Sequence, residues 1–225
     1  MDKRKEHQIK TVLFDLDGTI IDSGPGVKRC LRHTLKQYGK PDPEERDLNC
    51  CVGPPLTDTL GNRFGIPQDQ VMEAIEVYRK EYNAGGIFEC ELYPGIADCI
   101  RTLHEKGYLL ALTSSKVDVA CRRIIDHFSL APYFYEIVGS TPDASRERKA
   151  DIIQAFFDAH PDLKKEESVL IGDTKFDAEG AKEAQVPFAA VLFGYGKKED
   201  LYQTDAIAYF ETADEIVSWV TQASR

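Results

Sequence analysis

The chain reads as an α/β protein: a doubly wound parallel sheet interrupted, after its first strand, by an all-helical insertion. Three observations point there. From Leu92 onward, short apolar strands alternate with amphipathic helices, the pattern of a parallel sheet with helices on both faces. Thr11-Val-Leu-Phe14 is a β-branched and aromatic run suited to a buried strand. Between Asp22 and about Leu92 only helical stripes and turns are found, with no convincing buried strand. The expected division is a core of residues 1–21 and 92–225 carrying an inserted helical cap domain of residues 22–91.

Taken in order, the first strand stops at Gly18. Asp22, Ser23 and Gly24 suit a hinge turn. Val27, Cys30, Leu31, Thr34, Leu35 and Tyr38 have the spacing of an amphipathic helix, ended by Gly39-Lys-Pro41-Asp-Pro43. Val71, Ile75, Tyr78 and Tyr82 form a second stripe, closed by Asn83-Ala-Gly85-Gly86. A helix from Pro94-Gly95 uses Ile96, Ile100 and Leu103 and stops at Gly107, where the strand Tyr108–Thr113 begins. Further along come a helix from Val117 to Phe128, a strand from Phe134 to Val138, and a helix bearing Ile152, Ile153, Phe156 and Phe157. The strand Ser168–Ile171, a short helix from Ala178 to Ala184, and the strands Phe188–Leu192 and Ala206–Phe210 follow. Thr212-Ala-Asp-Glu215 has the form of a capping box opening a last helix with Ile216, Trp219 and Val220.

A length of 225 residues suits one large domain or a core with a smaller insert. The formal net charge of −10 argues against nucleic acid or an anionic membrane as main partner, since both reward clustered Lys and Arg. The charged opening Met1-Asp-Lys-Arg-Lys-Glu-His-Gln8 lacks the apolar stretch of a signal peptide, and no later run spans a bilayer, so a cytoplasmic location is expected. The six cysteines include no Cys-x-x-Cys pair and read as reduced structural thiols. Cys50-Cys51 has no functional account.

The chemistry lies in Asp15-Leu-Asp17-Gly18-Thr19. Strand alternation sets both carboxylates on one side at the strand's carboxyl end, the edge where ligands bind in an open parallel sheet. Two neighbouring carboxylates repel unless a cation or shared proton offsets them, so the pair suggests a metal site, an acid–base pair, or both. Three more polar segments end or follow strands: Thr113-Ser114-Ser115-Lys116, Lys149 ahead of its helix, and Gly172-Asp173-Thr-Lys-Phe-Asp177. Taken alone, Asp173 also suits a helix cap, and Lys149 sits in the charge run Arg146-Glu-Arg148-Lys149.

Those four segments, in that order and around a helical insert, resemble the haloacid dehalogenase-like hydrolase superfamily, in its phosphoglycolate-phosphatase-like branch. The resemblance covers nearly the whole chain and implies a Rossmann-like core. It implies that Asp15 is the nucleophile that forms an aspartyl-phosphate and that Asp17 is the acid–base residue. It implies Mg²⁺ as cofactor, held by Asp15, the backbone carbonyl of Asp17, and Asp173. Ser114 and Lys149 would grip the phosphate, with Gly18, Thr19 and Ser115 beside them, and Asp177 would orient Lys149 or backbone from outside. Either Thr113 or Ser114 supplies the hydroxyl; the family's spacing favours Ser114.

Asp17 points to phosphoryl transfer, because the branch that expels halide needs no proton on its leaving group. Gly53-Pro54-Pro55-Leu56 resembles a segment of phosphoglycolate-phosphatase caps, and Arg29, Arg32 and Arg63 are cap candidates for a second anionic group. The expected activity is Mg²⁺-dependent hydrolysis of a small phosphorylated metabolite, a phosphoglycolate-like phosphomonoester, by a monomer or small homo-oligomer. A sugar phosphomutase, a nucleoside 5'-monophosphate phosphatase and a non-catalytic binding protein are the alternatives.

Overall fold

The computed structural model describes residues 9–222; the charged stretch 1–8 lies outside them. β1 (Thr11–Phe14) is central in a six-stranded sheet and is buried throughout. It is followed by the two-residue β2 (Ile21–Asp22) and by the insertion's helices α1 (Gly24–Gln37), α2 (Glu45–Asn49) and α3 (Val71–Ala84). A wide π-type turn covers Asp58–Arg63. The chain returns through β3 (Glu91–Leu92), which pairs antiparallel with β2 as Ile21↔Leu92 and Asp22↔Glu91. The two chain crossings between core and insertion are therefore one short ribbon, a pairing that the apolar pattern is too brief to show.

Beyond it run α4 (Ile96–Glu105), β4 (Leu109–Val117), α5 (Asp118–His127), β5 (Glu136–Ser140) and α6 (Lys149–Ala159). Then come β6 (Ser168–Gly172), α7 (Lys175–Ala184), β7 (Phe188–Val191), α8 (Lys198–Leu201), β8 (Tyr209–Phe210) and α9 (Ala213–Gln222). The sheet order is β5-β4-β1-β6-β7-β8, every pairing parallel.

Period-two alternation sorts the strand residues between two faces. Val12, Phe14, Leu110, Leu112 and Ile171 pack with α4, α5 and α9, whereas Leu13, Ala111, Leu170 and Ala190 pack with α6 and α7. Each strand is therefore apolar on both faces, as a sheet covered by helices on both sides requires. The chain leaves β1 toward β4 on one side and reaches β6 on the other. Their carboxyl ends thus meet at a topological switch point.

Several elements differ at their ends from the sequence expectation. β4 continues through Ser114, Ser115 and Lys116 after its register with β5 shifts beyond Thr113. α7 starts at Lys175 because Thr174 and Asp177 form a reciprocal capping box. At the last helix the expected box is altered: Glu215 accepts from the Glu211 N–H, 2.7 Å away. The strand expected over Ala206–Phe210 is reduced to two residues.

The insertion's stripes face one another, α1 with Val27, Cys30, Leu31 and Leu35 against α3 with Ile75, Tyr78 and Tyr82. Pro25 in the first turn of α1 costs no intrahelical bond and presets the backbone. The insertion is docked on the core by direct contacts. Arg79 donates to the Pro142 carbonyl (2.7 Å), Arg123 to Asn83 (2.6 Å), and Thr57 to Glu147. The six cysteines are free thiols, with Cys30, Cys51, Cys99 and Cys121 buried. No helix among the described residues is long and apolar enough to cross a membrane.

Candidate active site

The strand ends deliver four buried charged groups to one place. Asp15 follows β1 directly and keeps the ladder, its N–H donating to Ile171 O at 2.9 Å. Lys149, the first residue of α6, is buried despite its charged neighbours. Its ammonium donates to Asp15 Oδ1 (2.5 Å) and to the Thr113 carbonyl (2.8 Å), and stands 2.9 Å from Asp177 Oδ1. Gly180 of α7 allows this approach, since a Cβ there would lie 2.5 Å from Lys149 Cβ. Burial opposes the charge on Lys149, but the Asp15 and Asp177 carboxylates outweigh it and hold the ammonium above its ordinary range.

The other Asp177 oxygen accepts from the Thr174 N–H (3.0 Å) and hydroxyl (2.7 Å). One carboxylate thereby starts α7 and aims Lys149. The cap of α7 is Thr174, which leaves Asp173 free of that duty.

Asp173 is fully buried at the end of β6. Its Oδ2 accepts from the Tyr195 N–H at 2.7 Å, and Thr19 Oγ1 lies 3.5 Å from its Oδ1. Gly18 lies against it at φ +85°, where an added Cβ would fall 2.1 Å from Asp173 Oδ2, so both backbone and space require glycine. Asp15, Asp173 and Asp177 place carboxylate oxygens within 4.8 Å of one another. Burial first, then the neighbouring carboxylates, push Asp173 well above the usual range; burial, only partly opposed by Lys149, moves Asp15 up to about 7. A crowded, desolvated all-oxygen cluster of this kind suits a hard divalent cation such as Mg²⁺, whose charge removes the repulsion.

Asp17 takes a different direction. β1 stops at Phe14 and the chain turns, with Ile20 and Ile21 N–H groups donating to Leu16 O (2.9 and 3.0 Å), so strand alternation no longer applies. The Asp17 carboxylate accepts from the hydroxyl of Ser23 and pairs with Lys116, 3.1 Å away. It is not among the three clustered carboxylates. The Lys116 ammonium is buried, which opposes its charge, but Asp17 and the hydroxyls of Tyr82 and Tyr78 raise its pKa well above normal. It stands 4.7 Å from the centre of the Tyr82 ring.

Ser114 and Thr113 are both buried at the mouth of β4. Ser114 Oγ accepts from Lys116 N–H (3.2 Å), whereas Thr113 Oγ1 has no hydrogen-bond partner. Ser115 lines the cleft between core and insertion. Arg29 pairs with Glu81 and Glu89, Arg32 with Asp42 and Glu45, and Arg63 with Asp47, all within the insertion. The loop residue Gly53 comes to the site, where an added Cβ would lie 3.6 Å from Thr174.

Sequence reasoning named Ser23 only in a hinge turn and Lys116 only as the end of a polar segment, and gave Thr174 and Tyr195 no part. Tyr195 is the most informative omission, for its N–H holds Asp173 while its hydroxyl joins Asp22 and Gly24 N. The flanking Gly194 and Gly196 were the available signal: a Cβ at either would strike Gly18, Asp173 or both.

The model for haloacid dehalogenase-like hydrolases matches residues 12–191. The tyrosine-protein kinase PtkA of Mycobacterium tuberculosis is 35% identical over 91% of this chain and 70% of its own length. A 5'-nucleotidase of Pseudomonas aeruginosa is 31% identical over 84% of this chain and 86% of its own. The crystal structure of a predicted phosphatase from Clostridium acetobutylicum superposes with a TM-score of 0.91 at 31% identity, covering 95% of this chain and 99% of that one. The parallel core, the helical insertion and these similarities agree: the chain belongs to the haloacid dehalogenase-like hydrolase superfamily and is an enzyme of its phosphatase type.

Proposed function

We propose that the protein hydrolyses the phosphomonoester of a small metabolite through an aspartyl-phosphate, in a Mg²⁺-dependent reaction. The observation that supports this most strongly is the buried group of Asp15, Lys149, Asp173 and Asp177, three clustered carboxylates of which two share one ammonium. Asp15, Asp173 and the backbone carbonyl of Asp17 are the groups that would hold Mg²⁺, which when bound supplies positive charge to the phosphoryl oxygens. Both oxygens of Asp177 are already engaged by Lys149 and Thr174, so its part is to orient.

In this reading Asp15 attacks phosphorus, with Lys149 fixing one of its oxygens and offering charge to the transferring group. Asp17 donates a proton to the leaving oxygen, and then takes one from the water that opens the aspartyl-phosphate. The hydroxyl of Ser114 or Thr113 completes the phosphate grip with Gly18, Thr19 and Ser115. Residues 22–91 act as a lid pivoting on the β2–β3 ribbon, closing to exclude water and opening for exchange.

The test is phosphate release from a panel of phosphomonoesters. Release is expected with Mg²⁺, to be lost in chelator and only weakly restored by Ca²⁺, whose looser shell lets both Asp15 oxygens bind. Undiminished turnover after thorough metal stripping would remove the cation from the reaction.

A further inference from the structure

We infer that the leaving group of the ester this enzyme cleaves is an uncharged, hydroxylated carbon skeleton and not a carboxylic acid. The inference rests on the phosphatase reading and adds the chemistry of the part that departs. Asp17, which faces the leaving oxygen in that reading, lines a cleft of about 410 Å³ between insertion and core. That volume falls within the range of pockets that enclose a drug-sized ligand, and far exceeds what a two-carbon acid fills.

Charge decides the class. The cleft is lined by three cations, Arg79, Lys80 and Lys116, and by three carboxylates, Asp17, Glu76 and Glu147. The cations near the reacting end are already committed: Lys116 to Asp17, and Arg79 to Glu76 and the Pro142 carbonyl. Lys80 is exposed at the rim, and Glu147 accepts from the Thr57 hydroxyl. A carboxylate on the leaving group would find the two inner cations already paired and Lys80 only at the exposed rim.

What the cleft does offer is neutral polar chemistry. The Tyr82 hydroxyl is buried beside the Lys116 ammonium and keeps its own proton to give. Buried polar groups are nearly always satisfied, and a phenol that both donates and accepts matches an alcohol. Ser115 adds a further neutral partner along the wall. Tyr78 and Tyr82 stack at 5.5 Å with 14° between their planes, presenting aromatic surface to a flat or C–H-rich skeleton.

The test uses three esters of equal carbon count: glycerol 3-phosphate, 3-phosphoglycerate and propyl phosphate. The wild-type enzyme should show a kcat/KM for the glycerol ester at least about tenfold above that for the glycerate ester, whose carboxylate replaces one hydroxymethyl group. Tyr82→Phe keeps the ring and deletes only the hydroxyl. It should lower kcat/KM for glycerol 3-phosphate about tenfold more than for propyl phosphate. Equal or reversed preference between the glycerol and glycerate esters overturns the inference, and that comparison needs no variant to fold. So does a Tyr82→Phe effect that is the same on the glycerol and propyl esters. Release from none of the three also overturns the inference, whereas release that survives Asp15→Asn removes the mechanism beneath it.

Discussion

The site contains two aspartate–lysine pairs only two residues apart in sequence at their acids, and they are built in opposite ways. Asp15–Lys149 is made entirely within the core: β1, the start of α6, the Thr113 carbonyl and the capped start of α7 all contribute, and both side chains are 5–6% exposed. Asp17–Lys116 lies at the seam. Its partners include Ser23 at the hinge and the Tyr82 ring on α3, both brought by the insertion. The first pair is surrounded by core elements alone, whereas the second joins two core residues and has part of its surroundings supplied by the insertion. In the proposed mechanism, chemistry common to all phosphate esters thus falls to core elements, and handling of the leaving group to a pair that the insertion borders.

The largest effect that tests this division is Asp15→Asn. The amide is nearly isosteric but cannot attack phosphorus, so turnover should fall by about 10⁴-fold or more, equally for every ester, with the fold intact. Near-wild-type phosphate release by the purified variant would end the proposed mechanism.

Asp17→Asn should slow turnover by roughly 10²–10⁴-fold on esters of ordinary alcohols. On an ester with a good leaving group, such as a nitrophenyl phosphate, the loss should be much smaller, because that oxygen leaves without needing a proton. Identical losses on both esters would place Asp17 in the ester-independent machinery and erase the contrast with Asp15.

Lys149→Met should cost activity by about 10²–10³-fold, again without regard to the leaving group. It also leaves Asp15 and Asp177 buried without their cation. Unfolding should thus become easier by about 3–5 kcal/mol, with a Tm lower by on the order of 10 °C. An unchanged Tm would mean the core pair is not the buried element described.

The smallest effect is expected at Thr174→Ala, which breaks the capping box that also fixes Asp177. A stability loss of about 1 kcal/mol and a Tm decrease of about 2–4 °C are expected in thermal denaturation. If the cap acts only locally, Lys149 stays aligned and kcat changes little; a loss comparable with that of Lys149→Met would show that the box holds the ammonium in place.

The fold was largely legible in the sequence because strand–helix alternation from Leu92 onward and the two helical stripes of the insertion are local patterns. Each residue's preference agreed with its neighbours' over whole elements. The four polar segments were legible for the same reason: each follows an apolar run, and strand ends in a parallel sheet converge on one edge. Asp15, Lys149, Asp173 and Asp177 meet there, separated along the chain by more than a hundred residues between first and last.

What only the tertiary structure decided is where charges find partners. From sequence alone Lys149 is one member of a charged run, while Lys116 simply ends a polar segment of four residues. Nothing in either stretch says that one ammonium is buried against Asp15 and the other against Asp17. Asp15 and Asp17 alternate like residues of one strand, yet the strand ends before them, only Asp15 keeps its ladder bond, and the turn sends the second carboxylate toward the insertion. Tyr195, Ser23 and Tyr82 act through distances closed by folding, across up to 173 positions of chain. Local periodicity determines which segments form strands and helices, but pairing of buried charges depends on desolvation and reach in three dimensions. Those exist only once the sheet has brought its strand ends together and the insertion has closed over them.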